Sequence, residues 1–296
     1  MAYYAAPSSE GAFILRNAAE TLSITAYSGE TATDADGAVT IGIVDSEGQT
    51  VVASGTAATS AGSGVYTYSL AAQSDLKELT ATWSGTWGSA MSFTTQHEVV
   101  GGFYATPSEV RGLDSLTGES SAYPTADLVS AITWATTVID DYCGCSFVYR
   151  FHRDVLDGTD AENLKLSHLF PQTILSGSIG GTALTATQIN NLNKYKSGVI
   201  VLKDDTWTFT DPGGQVIVNY EAGFSKTPPP DIAWAARTLS RFYVLELKNR
   251  VPSNAISVTN EFGNVQLAQP GMNKPTPLPD VNTILNRHRH RAPVMF

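Results

Sequence analysis

Two apolar segments in the second half of the chain most constrain what it can fold into. Both are predicted helices, one beginning near Thr125 and the other opening with Pro228-Pro229-Pro230. In the first, apolar residues recur at helical spacing and a second apolar stripe runs beside them, so no clean polar face remains. A helix of this kind is normally buried on several sides. Because a small domain covers only part of it, we expect another copy of the chain to cover the rest.

This reasoning favours an assembly subunit over a free-standing enzyme. We predict that the two long helices supply the contact between neighbouring copies. In a ring, such a contact joins two different faces of the subunit, and the rotation between copies closes on itself. The candidate residues for this subunit interface are Leu128, Ile132, Trp134, Val138, Trp234, Arg241 and Phe242.

The charge of the chain is negative and unevenly distributed. The net charge is −10, and residues 1–100 hold ten acidic residues against Arg16 and Lys77. Because phosphate binding requires positive charge, the first third is not expected to bind nucleic acid. The start lacks the basic and apolar pattern of a signal peptide. No run approaches the roughly 18 apolar residues of a membrane span, so no membrane contact is expected.

The sequence predicts neither a metal site nor a cofactor. Cys143 and Cys145 stand one residue apart, too close for a good disulfide, so we predict two free thiols, as in a protein made in a reducing cytosol. Zinc would need four ligands, and no CxxC or HxxxH partner is nearby. The segment from Asp34 lacks the later glycine and glutamate of a calcium loop, which favours a turn.

The strand and turn pattern of residues 1–100 predicts an immunoglobulin-like β-sandwich. After a loose arm over residues 1–10, seven short strand patterns follow one another. Asp36-Gly37, Glu47-Gly48 and Ser84-Gly85 occupy positions where hairpin turns are expected. Seven short strands over such a length are typical of that architecture.

Residues 101–250 predict a helical domain with a small inserted sheet. Gly101-Gly102 ends the last strand of the sandwich, and Thr106 with Pro107 begins a short helix. Gly144 is expected to end the first long helix in a left-handed conformation. Strand patterns fill the segment between the long helices, with a strong turn signal at residues 211–214. The predicted fold class is therefore α+β.

Residues 251–296 predict an extended arm and a C-terminal docking helix. Residues 255–267 are interpreted as a loose hairpin with its turn at residues 262–264, and Asp280 as the cap of a short helix. His288 and His290 would point in different directions on a helix, which argues against a metal site. An apolar end is unusual as a free tail, so we expect it to dock. The candidate docking residues are Val281, Ile284, Leu285, Arg287, His288, Arg289, Arg291 and Phe296.

Three segments carry a family resemblance: Val216–Phe224, the Pro229-Pro230-Asp231-Ile232 sequence after it, and the tail Asp280–Arg287. Together with the short helix and the first long helix, they resemble the head–tail connector (adaptor) family of long-tailed bacteriophages. The resemblance covers Tyr104 to Arg291. It implies a small helical protein with an inserted strand layer. The N-terminal sandwich departs from the minimal family pattern, which suggests an outward decoration.

The resemblance also implies partners and a location. It implies a homo-oligomeric ring of twelve copies that carries the DNA channel from the portal protein toward the tail. A downstream tail-completion or stopper protein would follow, and DNA would pass without sequence-specific binding. The protein would be made in the host cytoplasm and reside in the virion. For the basic end, residues 287–291, docking on an acidic portal surface is favoured, while DNA contact and a solvated end stay open.

An enzyme is not predicted. The sequence has no GxSxG, P-loop or HExxH pattern. Asp140 and Asp141 are neighbours on a helix, so their carboxylates point apart and would not share a proton. The alternative function is a surface or glycan-binding module. An exposed row of aromatic residues on the sandwich would favour it, namely Trp83, Trp87, Tyr66 and Tyr68.

Overall fold

The computed structural model describes residues 3–7, 13–113, 123–203, 207, 216–247, 257–260, 263–266 and 275–290. Within these ranges the chain is mixed, with nineteen strands in several sheets and five helices, as the α+β prediction requires. Contacts divide the chain into two compact units. We call Met1–Gly102 with Val148–Lys226 the sheet unit, and Phe103–Phe147 with Thr227–Phe296 the helical unit. The strand insert therefore groups with the N-terminal strands, whereas the sequence placed it with the helices.

The N-terminal part of the sheet unit contains ten strands, which include the seven predicted ones. They are β1 (Tyr3–Pro7), β2 (Phe13–Leu15), β3 (Glu20–Ser28), β4 (Thr31–Ala32), β5 (Thr40–Asp45), β6 (Thr50–Ala57), β7 (Thr59–Gly62), β8 (Val65–Leu70), β9 (Lys77–Trp87) and β10 (Ser89–Val100). One sheet has the order β1-β3-β8-β7, with β4 on β3; the other has the order β2-β10-β9-β5-β6. All pairings are antiparallel except that of β2 with β10.

The two N-terminal sheets share one hydrophobic core. Alternation predicted from the sequence is present in β5, where Ile41 and Ile43 are buried, and in β9, where Leu79, Ala81 and Trp83 are buried. Strand β3 alternates in the same way. Trp83 and Trp87 lie at the centre and are 0% and 1% exposed. Trp87 contacts Tyr66 and Phe93 in edge-to-face geometry, a favourable arrangement for aromatic rings. The core thus holds the largest side chains of this part of the chain.

Some predicted turns and ends differ from the structure. The turn at Glu47-Gly48 is confirmed, since it joins the paired strands β5 and β6. Ser84-Gly85 is not a turn but lies inside β9, which turns at Gly88 instead. A Cβ on Gly85 would lie 2.8 Å from the Trp87 ring, so this glycine makes room for the indole. The predicted arm at residues 1–10 contains β1, which pairs with β3. Asp36-Gly37 connects strands of different sheets and forms no hairpin.

The insert adds two further sheets to the sheet unit. Its strands are β11 (Arg150–Leu156), β12 (Asn163–Lys165), β13 (Pro171–Ile179), β14 (Thr182–Ala183), β15 (Asn193–Lys194), β16 (Val199–Val201) and β17 (Val216–Ala222), and the short helix α3 (Ala186–Asn190) lies among them. The four-stranded sheet has the order β11-β17-β13-β14, and the three-stranded sheet the order β12-β16-β15. The turn predicted at residues 211–214 lies outside the described residues.

Strand β17 is the central strand of the insert and is buried along almost its whole length. Val216, Val218 and Tyr220 on one face belong to a second hydrophobic core, which also includes the fully buried Trp207. On the other face, Asn219 and Glu221 meet residues of the N-terminal sheets. The strand is therefore covered on both faces, and its two polar residues are buried because they bond to Glu47 and Arg16.

Ion pairs and hydrogen bonds join the insert to the N-terminal sheets within the sheet unit. The Arg16 guanidinium contacts the Glu221 carboxylate, which is only 9% exposed. Arg150 binds both carboxylate oxygens of Glu98. The side chain of Phe151 also joins the N-terminal hydrophobic core. The insert therefore packs on the N-terminal sheets and stabilises them through both polar and apolar contacts.

The helical unit contains α1 (Pro107–Arg111), α2 (Thr125–Cys143), α4 (Pro230–Leu247) and α5 (Pro279–His288), together with the hairpin β18 (Ser257–Asn260) and β19 (Gly263–Gln266). Thr106 and Glu109 form the capping box that begins α1. Gly144 ends α2 in the predicted left-handed conformation, with φ of 71°. The predicted hairpin is present, although Gly263 and Asn264 lie in β19 and not in its turn.

Candidate functional site

The two long helices of the helical unit pack on each other and bury part of the predicted subunit interface. Leu128 and Ile132 of α2 are 0% and 6% exposed. From α4, Ile232, Ala236 and Leu239 are fully buried. These residues are covered by their own chain, so they need no second copy to remove them from water. Whether they also support an interface between copies stays a prediction.

The other predicted interface residues keep exposed surface. Trp134 is half-buried and stacks on Tyr243 of α4, with ring centroids 4.4 Å apart and planes 16° apart. Trp234 is 38% exposed, whereas Val138, Arg241 and Phe242 are half-buried. Large apolar side chains that stay accessible on a helix pair are typical of protein contact surfaces. We call Trp134, Val138, Trp234, Arg241 and Phe242 the helix-pair surface.

The predicted C-terminal helix, α5, is present and amphipathic. Val281 and Leu285 are fully buried, whereas Ile284 and His288 are half-buried. The sequence predicted Asp280 as the cap of this helix. The helix instead begins after Leu278, and Asp280 lies in its first turn. Instead, the Asn282 amide donates to the Thr276 carbonyl over 2.7 Å and accepts from the Thr276 hydroxyl over 2.8 Å. This exchange fixes the segment that leads into α5.

The end of α5 is held against α2 by several contacts. Tyr142 donates a hydrogen bond of 2.5 Å to the Asn286 side chain. The Arg289 guanidinium lies over the Tyr142 ring, 4.8 Å from its centroid. Beyond the helix, the His290 N–H donates to the Cys143 carbonyl over 2.8 Å. These contacts fix the end of α5 on the end of α2.

His288 joins α5 to the start of α4. Its Nε2 atom lies 2.7 Å from the Asp231 carboxylate, and its ring edge packs on Phe147. Burial alone would raise the pKa of Asp231, but the hydrogen bond and the charge of His288, together with the Ile232 N–H, lower it from its ordinary value. Asp231 therefore keeps its negative charge and complements the N-terminal end of α4.

The remaining predicted docking residues are polar and accessible where the structure describes them. Arg287 and Arg289 are both exposed. Together with Ile284 and His288, they form the outer side of the α5 region, which we call the tail surface. Arg291 and Phe296 lie outside the described residues. The structure thus brings Ile284, Arg287, His288 and Arg289 together at one end of the helical unit.

A tyrosine that was not singled out from the sequence organises the end of α2. Tyr104 is 2% exposed, and its hydroxyl donates to the Asp140 carboxylate and accepts from the Phe147 N–H over 2.5 Å. Burial, and next the charge of Asp140, raise the pKa of Tyr104 well above its ordinary value. Asp140 is therefore a hydrogen-bond acceptor within the unit.

The two cysteines are free and buried, as predicted. Burial is the main cause that raises the pKa of Cys143 and of Cys145 to about 12. Both thiols therefore stay protonated at neutral pH and are poor nucleophiles. Among the described residues, no group of three or more His, Cys, Asp or Glu side chains is placed to hold a metal ion. None of the helices in the described ranges has the length and apolar character needed to cross a membrane.

The aromatic row that would have favoured glycan binding is not exposed. Tyr66, Trp83 and Trp87 are at most 3% exposed and belong to the core of the N-terminal sheets, and Tyr68 is half-buried. An exposed aromatic residue lies elsewhere in the sheet unit. Phe224, at the end of the VIVNYEAGF segment, is 51% exposed and contacts Phe170 edge-on. The sequence pattern did not indicate that this residue is exposed.

Comparison with known proteins identifies the family of the chain. The model of the head completion protein family matches residues 109–290, which is more than half of the chain. No curated protein matches the chain. Among solved structures, a chain from the neck of an empty GTA particle computed with C6 symmetry is similar at 17% identity and a TM-score of 0.40, covering 57% of this chain and 80% of that chain. The chain therefore belongs to the head completion protein family and is a structural head–tail connector protein of the phage virion.

Proposed function

We propose that the chain forms a closed homo-oligomeric ring between the portal and the tail and continues the DNA channel there. The family match over residues 109–290 carries this proposal, because it spans both long helices, the insert and α5. Twelve copies is the number implied by the family resemblance. The downstream partner would be a tail-completion or stopper protein, and DNA would pass without sequence-specific contacts.

The helix-pair surface supports contacts between copies. Trp134 and Trp234 keep accessible indole surface although neighbouring residues of the same helices are fully buried. Tryptophan and arginine are enriched among the residues that contribute most to binding energy at protein interfaces. In the proposed ring, this surface of one copy contacts a different face of the next copy, as a heterologous closed assembly requires.

The tail surface supports docking on the portal. Because Val281 and Leu285 pack inside the helical unit, the groups that α5 offers to a partner are Ile284, Arg287 and the segment after it. Arg287 and Arg289 give this surface positive charge, although the chain as a whole carries −10. An acidic portal surface is the complementary partner, and the electrostatic attraction would guide the encounter.

The N-terminal strands support an immunoglobulin-like sandwich in the proposed particle. The order β1-β3-β8-β7, with β4 on β3, and the order β2-β10-β9-β5-β6 place ten strands in two five-stranded sheets over one core. Two largely antiparallel sheets packed over one core are the architecture of such a sandwich. We propose that the acidic sandwich of residues 1–100 lies on the outside of the ring, away from the DNA phosphates.

A charge reversal on the tail surface tests the docking proposal. We expect Arg287→Glu to weaken binding of the purified chain to the portal protein at least tenfold, about 1.4 kcal/mol, because it replaces attraction with repulsion. Mass photometry of portal mixtures would report the number of bound copies. Lys203→Glu, also exposed but in the sheet unit, is the matched control and should bind like the unchanged chain. Equal binding of both variants would contradict docking through α5.

A further inference from the structure

Two histidines of the sheet unit lie face to face, close to Tyr220 in the central strand of the insert. His152 is in β11, and His168 precedes β13. Their ring centroids are 3.6 Å apart and their planes are 15° apart. Two imidazolium ions stacked at this distance would repel each other strongly. The arrangement is therefore compatible with two neutral rings, or with one charge shared between them, but not with two charges.

A chain of hydrogen bonds fixes which tautomer His168 adopts. The Tyr220 hydroxyl donates to the Asp154 carboxylate over 2.9 Å. The Tyr220 oxygen can therefore only accept from His168, whose backbone N–H and Nδ1 lie 3.3 and 3.2 Å away. Neutral His168 consequently carries its proton on Nδ1, and a second proton would have to bind at Nε2.

The surroundings of His152 also disfavour a charged ring. Its Nε2 atom is buried and has no hydrogen-bond partner among the described residues. A proton added at this atom would have nothing to donate to, and an unpaired buried charge is costly. Burial, then His168 and Arg150, lower the pKa of His152 to about 3. Burial is also the main cause that lowers the pKa of His168, although the Asp154 charge opposes it.

The charged groups around the pair come from each element that packs on it. Strand β11 contributes Arg150 and Asp154, on the same face as His152. Strand β17 contributes Tyr220, directly opposite His152. On the side of β12 and β16, the Lys165 ammonium lies beside Gly198, which approaches the His168 carbonyl. Arg150, which is paired with Glu98, opposes protonation of both rings. Asp154, already bonded to Tyr220 and to the Ser167 N–H, favours a charge on His168.

We propose that His152 and His168 form a pH-sensitive lock, which holds the segment before β13 on β11 and β17 at neutral pH and releases it on acidification. Protonation begins at His168 Nε2, because Asp154 favours a charge there. The new charge lies against His152 and under Arg150. Relief comes from moving the segment that contains Ser167 and His168 away from β11, which also breaks the hydrogen bonds of Tyr220 and Asp154 to that segment.

The direction of the pH effect follows from the lowered pKa values. Above the ordinary histidine pKa of about 6.5, the rings are neutral in both the folded and the unfolded chain, so the pair does not lower the stability of the fold. Below it, the unfolded chain binds protons that the folded chain excludes, so stability falls as the pH falls toward 3. For each excluded proton, the unfolding equilibrium constant rises about tenfold per pH unit.

Urea unfolding of the full chain between pH 7.5 and 4.5 tests the lock. Relative to the double variant His152→Asn/His168→Asn, the unchanged chain should lose at least an additional tenfold in the folding constant between pH 6 and pH 5. His290→Asn, which removes an exposed histidine from the helical unit, should behave like the unchanged chain. An identical pH dependence of the double variant and the unchanged chain would overturn the proposal.

Nitrogen-detected NMR of the imidazoles in the unchanged chain gives a second test that needs no variant. We expect two rings to stay neutral at pH 5.5 to 6, one of them with its proton on Nδ1. Below that range, protonation of the Nδ1-H ring should coincide with faster amide exchange at residues 166–170. If both rings of the pair take up protons near pH 6.5 while those amides stay protected, there is no lock.

Discussion

Replacing Arg16 with alanine is expected to lower the free energy of unfolding of the sheet unit by about 3 kcal/mol. The change leaves the Glu221 carboxylate, only 9% exposed, without its cation between the insert and the N-terminal sheets. A buried charge without a partner costs far more than the pair contributes. Urea unfolding would measure the loss, and hydrogen exchange in β17 would locate it in the sheet unit.

Two further variants distinguish the effect of breaking the Arg16–Glu221 ion pair from the effect of removing any arginine from the sheet unit. Arg153→Ala removes an exposed arginine from β11, where it donates only to the Ser46 carbonyl, and should cost less than about 1 kcal/mol. The double variant Arg16→Met/Glu221→Leu removes both charges and should recover most of the stability. If Arg16→Ala costs no more than Arg153→Ala, the insert is not bound to the N-terminal sheets through this pair.

Replacing Leu285 with alanine is expected to destabilise the helical unit by about 3 kcal/mol, because the fully buried side chain leaves a cavity between α5 and the long helices. Its neighbour Ile284 is half-buried and faces outward, so Ile284→Ala should cost about 1 kcal/mol or less. Thermal unfolding with hydrogen exchange in α5 would compare the two. Equal effects would mean that α5 does not pack on its own chain and acts only as a free docking segment.

The sequence predicted the elements well where local patterns decide them. Alternating apolar residues located β5 and β9, and Thr106, Pro107 and Gly144 located the ends of helices. The predictions were wrong where contact with a residue distant in the sequence determines the local structure. Gly85 was predicted as a turn residue, but it is a glycine in a strand because the Trp87 ring leaves no room for a side chain there. Strand β1 has no pattern of its own and exists because β3 pairs with it.

The candidate site was predicted only in part, for the same reason. Amphipathic spacing showed that Leu128, Ile132, Val281 and Leu285 are apolar face residues, but not that α2, α4 and α5 cover them within one chain. Tyr104 and the His152–His168 pair were not found, because their partners lie far along the sequence or on other strands. The positive charge at Arg287, in contrast, was readable directly from the sequence.

The measurement that tests the central claim most directly is an electron cryomicroscopy reconstruction of the virion neck. The account predicts density for the helical unit of this chain in a closed ring at the head vertex, with α5 toward the portal and the sandwich of residues 1–100 on the outer side. A virion in which this chain lies in the capsid shell or the tail tube, or in which portal and tail are in direct contact, would contradict it.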